Sequence, residues 1–225
     1  NKIKLRKKNK DNIIELYSLE DNFTSYIKTY NLNSAKTISA DHVWSGGSLG
    51  LNLTGNNIKV GIWDAGNILS SHQELSGRVV NVDVTNVESH STHVAGTIGA
   101  SGVVNSAKGI APNSRLYSYE WNNSTLEMTN SIASPNIKVA NHSWGYVVGW
   151  DCYEQNEWAG CTKWRWYGDV SVSASEDYRF GYYHSMSKDW DSLIYSNPSF
   201  SIVKAAGNDR ADTAQSGGHW VLNSS

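Results

Sequence analysis

Apolar and polar positions alternate along NIKVGIWDAG, residues 57–66, where Ile58, Val60 and Ile62 are separated by Lys59 and Gly61 ahead of an acid and a glycine turn. A period of two predicts a buried strand ending at Asp64. STHVAGTIGA, residues 91–100, is a run of small and apolar residues that predicts a helix able to pack close to a sheet. RLYSYEW (115–121) predicts a second strand, and STLEMTNSIAS (124–134) a second helix, opened by Ser124 and Glu127 at capping-box spacing. NIKVAN (136–141) and FSIVKAAGN (200–208) predict a third and a fourth strand.

Between those last two strands lies a polar, aromatic insertion, about residues 146–188, that ends in a predicted helix around KDWDSLIYSN. Strands alternating with helices imply an α/β domain with a doubly wound, mostly parallel sheet and helices on both faces. Residues 1–45 are less regular and are expected to form an extended lead-in, either a wrap around the domain or the remnant of a propeptide. The glycine-rich stretch SGGSLGLNLTGNN then opens a single domain over residues 46–225.

In such sheets ligands bind beyond the carboxyl ends of the strands. The residues standing there are Asp64, His90 at the start of the following helix, Ser143 and Asn208. An aspartate that accepts a hydrogen bond from a histidine fixes its tautomer and stabilises its protonated form, so that the ring can take a proton from a hydroxyl. A side-chain amide aimed at a carbonyl oxygen stabilises the oxyanion. His93 lies one helical turn beyond His90 and reads as a structural hydrogen-bonding residue. The pair lacks the His-x-x-x-His spacing with an intervening Glu that favours zinc. His72 reads as a loop residue, and Asn141 and His142 as side chains on opposite sides of a strand end.

Composition narrows the partners. The formal charge is −2, from 19 basic and 21 acidic residues, which gives no general electrostatic case for nucleic acid or an anionic membrane. The basic segment NKIKLRKKNK reads as a solvated terminus. No run approaches the roughly 18 apolar residues that span a bilayer. Cys152 and Cys161 are close enough in sequence to staple one loop in an oxidising compartment, with two free thiols as the alternative. Aromatic residues are abundant, 10 Trp and 12 Tyr against 3 Phe, and crowd the insertion. They form either a recognition surface or a satellite core packed around the staple. Asp151, Glu154, Asp169, Glu176 and Asp177 in the same region supply oxygen ligands of the kind calcium prefers, without EF-hand spacing. Asp151, close to Ser143 in sequence, also favours basic side chains on a ligand.

Together, VGIWDAG, HSTHVAGT, NHSWG and AAGN resemble the four sequential blocks of the subtilisin-like serine peptidases (the S8 family), closest in pattern to secreted subtilases of Bacteroidetes-type bacteria. The resemblance covers roughly residues 40–212 and implies a secreted endopeptidase that hydrolyses peptide bonds through an Asp-His-Ser triad, in that chain order. It implies that Asp64 is the orienting acid, His90 the general base and Asn208 the side-chain oxyanion donor. Ser143, Trp144 and Gly145 match the block that pairs with the substrate backbone as an added strand and lines the first specificity pocket. No cofactor is needed for the chemistry, while structural calcium is implied without assigned ligands.

The sequence departs from the family pattern at three places. Ser91 stands where the block usually has Gly, a change that matters if the backbone there needs a positive φ. Ala65 replaces the usual Ser or Thr after the acid. No Gly-Thr-Ser-Met-Ala-like block follows Asn208, and Ser224 and Ser225 lack the glycine-flanked turn that exposes a nucleophile. The catalytic serine is therefore expected outside these residues, with this chain as the amino-terminal portion of the catalytic domain, inert alone, and the serine-bearing part either cleaved off, supplied as a second polypeptide or simply not included in these residues. Two alternatives stand beside that reading: a catalytically silent module that binds protein or glycan, and a processed zymogen whose mature start lies near Ser34 to Ser39.

Overall fold

The computed structural model describes residues 6–8, 13–20, 23–28, 31–156, 160–173, 175–208 and 219–221. Contacts divide the chain into one unit of residues 1–143 and 197–203 and a second of residues 144–196 and 204–225.

The first unit begins with β1 (Arg6–Lys8), β2 (Ile13–Glu20) and β3 (Phe23–Lys28), an antiparallel three-stranded sheet whose register pairs Glu20 with Phe23. The expected irregular lead-in is thus a sheet over these residues. Its strands carry β-branched and aromatic residues, which favour extended pairing over coil. Helix α1 (Asn31–Thr37) follows, and its Ala35 is fully buried. Trp44 is also buried; its indole donates to the Ile110 carbonyl at 2.8 Å and the Lys108 ammonium lies 4.3 Å from its ring. Residues within the expected 1–45 lead-in therefore pack against the segment that precedes the second core strand.

The central sheet is built from β4 (Lys59–Asp64), β5 (Val79–Asn81), β6 (Arg115–Glu120) and β7 (Val139–His142), with helix α2 (Ser89–Gly99) between β5 and β6 and α3 (Ser124–Ala133) between β6 and β7. β4 pairs in parallel with β6 and β7, and β5 in parallel with β6. The remaining elements in chain order are β8 (Trp150–Asn156), β9 (Gly160–Trp166), α4 (Ser185–Ser196), β10 (Ser201–Lys204) and β11 (His219–Val221). The strand order β10-β7-β4-β6-β5 puts the strand that ends in Asp64 at the centre.

Helices cover both faces. On one, Val60, Ile62, Ile68, Leu75 and Leu116 form a buried cluster with Ala95 of α2, and Val94 and Ile98 pack onto it. Each fully buried aliphatic side chain there contributes about 1.5–3 kcal/mol. On the other face Trp63 stacks flat on Tyr119 at 4.5 Å and on His142 at 5.3 Å, and the ladder makes both of them its directly opposite partners. Gly61 makes room for this ring, since a Cβ there would collide with it. The indole donates to Glu127 Oε2 of α3 at 2.9 Å. That bond replaces the expected capping box: Asn123 is the N-cap of α3 without a side-chain cap, Ser124 is its buried first residue, and the Trp63 indole binds the carboxylate instead. A buried indole N–H needs an acceptor, and this one takes precedence over a solvated helix end.

In the second unit β8 and β9 form an antiparallel hairpin and β11 joins β9 in parallel. The insertion is therefore more ordered than the loop expected. Buried Asp177 holds it together: its Oδ2 accepts from the Gly149 amide at 2.8 Å and from Arg179 Nη2 at 2.6 Å, and Nη2 also reaches the Tyr167 carbonyl. The guanidinium beside it keeps the carboxyl well below the usual carboxylate range. Trp150 packs on buried Trp166 at 5.2 Å, so part of the aromatic excess is a satellite core. Tyr146, Tyr178, Phe180, Tyr182, Tyr183 and Tyr195 stay exposed. The register puts Cys152 opposite Trp164 and Cys161 opposite Gln155. The two cysteine side chains, and Ser224 and Ser225, lie outside the described residues.

Glu74 fixes the loop after α2. It is buried, and its carboxylate accepts from Ser101 Oγ and the amides of Gly102, Val103 and Val104 at 2.7–3.0 Å. Burial pushes its carboxyl up, and the three amides and the hydroxyl outweigh that and leave it below the usual range. A folded-state pKa below the unfolded one stabilises fully above the ordinary carboxylate pKa and fades as pH falls through the depressed value. Glu74→Gln should lower stability by about 2–3 kcal/mol in urea unfolding at neutral pH, and the gap to wild type should shrink as the pH falls below about 4. A gap that stays constant down to pH about 2 would contradict this role.

Candidate active site

Asp64 is the last residue of the central strand, with no exposed surface. A buried carboxylate must find local partners. Its Oδ1 accepts from the Ala65 amide at 2.7 Å and lies 2.7 Å from His90 Nδ1. With Nδ1–H turned to the carboxylate, Nε2 is left as the basic nitrogen, and the His90 side chain is 56% exposed, so that nitrogen faces outward. The pair can take a proton from a hydroxyl outside it and hold the resulting imidazolium against a buried anion. Asp64 Oδ2 is buried and makes no hydrogen bond among the described residues. This is the position at which Ala65 withholds a hydroxyl, and its amide serves Oδ1 alone.

The turn between strand and helix is held by Asn67, a residue that no motif in the sequence singles out. Its amide donates to the Asn86 carbonyl at 2.7 Å, and its carbonyl accepts from Glu88 at 2.9 Å. Its side-chain Nδ2 spans the Asp83 and Thr85 carbonyls at 3.1 and 2.9 Å. A Cβ on Gly66 would stand 2.6 Å from the Asn86 carbonyl, so only glycine lets the two segments close. Together these contacts dock the residues ahead of α2 onto the turn after β4, which sets His90 over Asp64.

Ser91 is helical and fully buried, so the feared need for a positive φ does not arise. His93 is exposed, and its contribution is a backbone carbonyl that accepts from Thr97 Oγ1 at 3.1 Å. His72 Nδ1 accepts from the Glu74 amide within its own turn. In β7 the alternation buries His142 against Trp63, whereas the Asn141 amide donates to Ser143 Oγ at 2.9 Å.

The structure thus brings Asp64 and His90 together, and Ser143 follows β7 in the same unit. Trp144, Gly145 and Asn208 belong to the second unit. Trp144 meets Tyr146 and Trp190 edge-on, Gly145 is exposed, and Asn208 is exposed one residue after Gly207, whose φ is +104°. Of the five acids that could offer oxygen ligands to calcium, two have other partners. Both oxygens of Asp177 are engaged by Arg179, and Asp169 is taken up by the Ser171 amide and hydroxyl. Among the described residues no group of three or more His, Cys, Asp or Glu converges.

Asn67→Ala should remove two hydrogen bonds from a nearly buried site and cost about 1–3 kcal/mol in urea unfolding. Amide exchange of Asn67 and Glu88 should speed up more than exchange within β6. Equal protection in wild type and variant would show that the side chain does not hold the turn.

A match to the subtilase family model runs over residues 55–220. Subtilisin DY of Bacillus licheniformis is 37% identical over 98 residues, which are 40% of this chain and 34% of that protein. Two solved structures align at low similarity: the self-cleaved protease domain of PatA (22% identity, TM-score 0.42, 70% of this chain and 52% of that one) and MycP1 with its N-terminal propeptide removed (19%, 0.44, 80% and 51%). The matched region spans about a third of the curated relative and about half of each solved structure. No helix among the described residues is long and apolar enough to cross a membrane. With the family match covering most of the chain and the aspartate–histidine pair joined at the end of the central parallel strand, the chain belongs to the subtilase family of peptidases.

Proposed function

We propose that the whole protein is a secreted serine endopeptidase that cleaves peptide bonds through an acyl-enzyme, with the serine on a segment outside these 225 residues. The observation that carries this reading is the 2.7 Å contact between buried Asp64 and exposed His90. His90 Nε2 takes the proton of the serine hydroxyl as its oxygen attacks the scissile carbonyl. Asp64 keeps the ring in the productive tautomer and stabilises the imidazolium. The Asn208 side-chain amide donates to the developing oxyanion, and His90 returns the proton to the leaving amine. Water, deprotonated by the same ring, then hydrolyses the acyl-enzyme. Ser143, Trp144 and Gly145 present the strand on which the substrate backbone pairs.

Kinetics on quenched-fluorescence peptides with the full-length protein test the assignment. Asp64→Asn and His90→Ala should each lower kcat by about 10³–10⁴, with KM little changed. Asn208→Leu should lower it by about 10²–10³. The double variant of Asp64 and His90 should be scarcely worse than the poorer single one, because the two act as a unit. Wild-type rates in either acid or base variant would remove the pair from the mechanism.

A further inference from the structure

Trp144, in the segment assigned to substrate pairing, carries a cation on its face. The ammonium of Lys204, the last residue of β10, stands 4.1 Å from the ring centroid. Tyr146 and Trp190 meet the same ring edge-on, at 6.3 and 6.4 Å and interplanar angles of 88° and 84°. Lys204 is exposed, and partial desolvation of its ammonium holds it somewhat below the usual lysine range.

No carboxylate among the described residues lies within ion-pair distance of this ammonium. Two acids of the same unit have other neighbours. Asp191 of α4, next to Trp190, accepts from the Tyr183 hydroxyl at 2.6 Å. Asp151, the residue that favoured basic ligands, stands directly opposite Arg165 in the β8–β9 ladder, where opposite charges attract. A lysine whose task was only to cover an indole would need its methylenes alone. An exposed ammonium held on an indole face, with no carboxylate among the described residues paired to it, remains able to pair with an incoming anion.

We propose that Lys204, seated on Trp144, makes this part of the substrate site select peptides bearing an aspartate or glutamate side chain. The proposal rests on the peptidase reading above and names the substrate class of the same site. A carboxylate entering beside the indole would pair with the ammonium at its exposed end while its methylenes lie along the aromatic edges. Lys204 touches the substrate side chain and none of the reacting atoms, so it sets specificity.

The test uses the full-length protein and peptides amidated at the carboxyl terminus, so that only side chains supply carboxylate. Sets that differ by Glu, Gln or Lys at one position are compared, for each position around one cleaved bond. At one position kcat/KM for Glu should exceed that for Gln by about three- to fivefold at low salt, with Lys the poorest. The Glu-to-Gln ratio should fall to about one in Lys204→Met and persist in Lys204→Arg. In the wild type it should shrink as salt is raised to about 0.5 M, a result that depends on no variant. Equal rates for Glu and Gln at every position, or a preference that survives Lys204→Met, would overturn the inference and leave the peptidase reading standing. Failure of the wild type to cleave any peptide would remove both.

Discussion

A carboxylate with no exposed surface at the end of a central strand is a liability unless its charge is met locally. Asp64 meets it through one oxygen, shared by the Ala65 amide and the His90 ring. Much of the first unit can be understood as the means of delivering that ring. Strand β4 is flanked on both sides by parallel partners, so its carboxyl end is fixed; Gly66 and Asn67 then close the turn onto residues 83–88, and α2 starts with His90 already in reach. The apolar seam between Val60, Ile62 and α2 keeps the helix at that height.

The opposite face of the same strand performs a different task. Trp63 follows Ile62 and therefore points away from α2, and its stack with Tyr119 and His142 ties the three adjacent strands side chain to side chain. Burial first, and then the negative charges of Glu127 and Asp83, push the Tyr119 hydroxyl up to about 12, so it stays neutral in this setting. Rigid packing one residue before the acid limits its freedom, which suits a site that works by preorganisation rather than by movement.

The legibility of the chain followed the strength of local pattern. β4, α2, β6, α3, β7, α4 and β10 were visible because each is a periodic apolar run bounded by a turn signal. β5 was missed because three residues at a sheet edge make too short a pattern. The hairpin of β8 and β9 was hidden by tryptophan, tyrosine and charge on both faces, where alternation carries no information about burial. The spacing of Ser124 and Glu127 suggested a cap, yet an indole more than sixty positions away claimed the carboxylate. Asp64 and His90 were legible through their blocks, whereas Asn67, Glu74 and Lys204 were not. Their roles depend on long-range partners that no short motif specifies.

The pairing of a buried acid with an exposed imidazole is a means of activating a hydroxyl, so the account is most directly tested by asking whether the native, full-length protein holds an activated serine. Labelling with a fluorophosphonate, followed by peptide mapping, should place the adduct on one serine outside residues 1–225, and the label should be lost in His90→Ala. A folded protein that takes no label, or one that is labelled equally well without His90, would contradict the account.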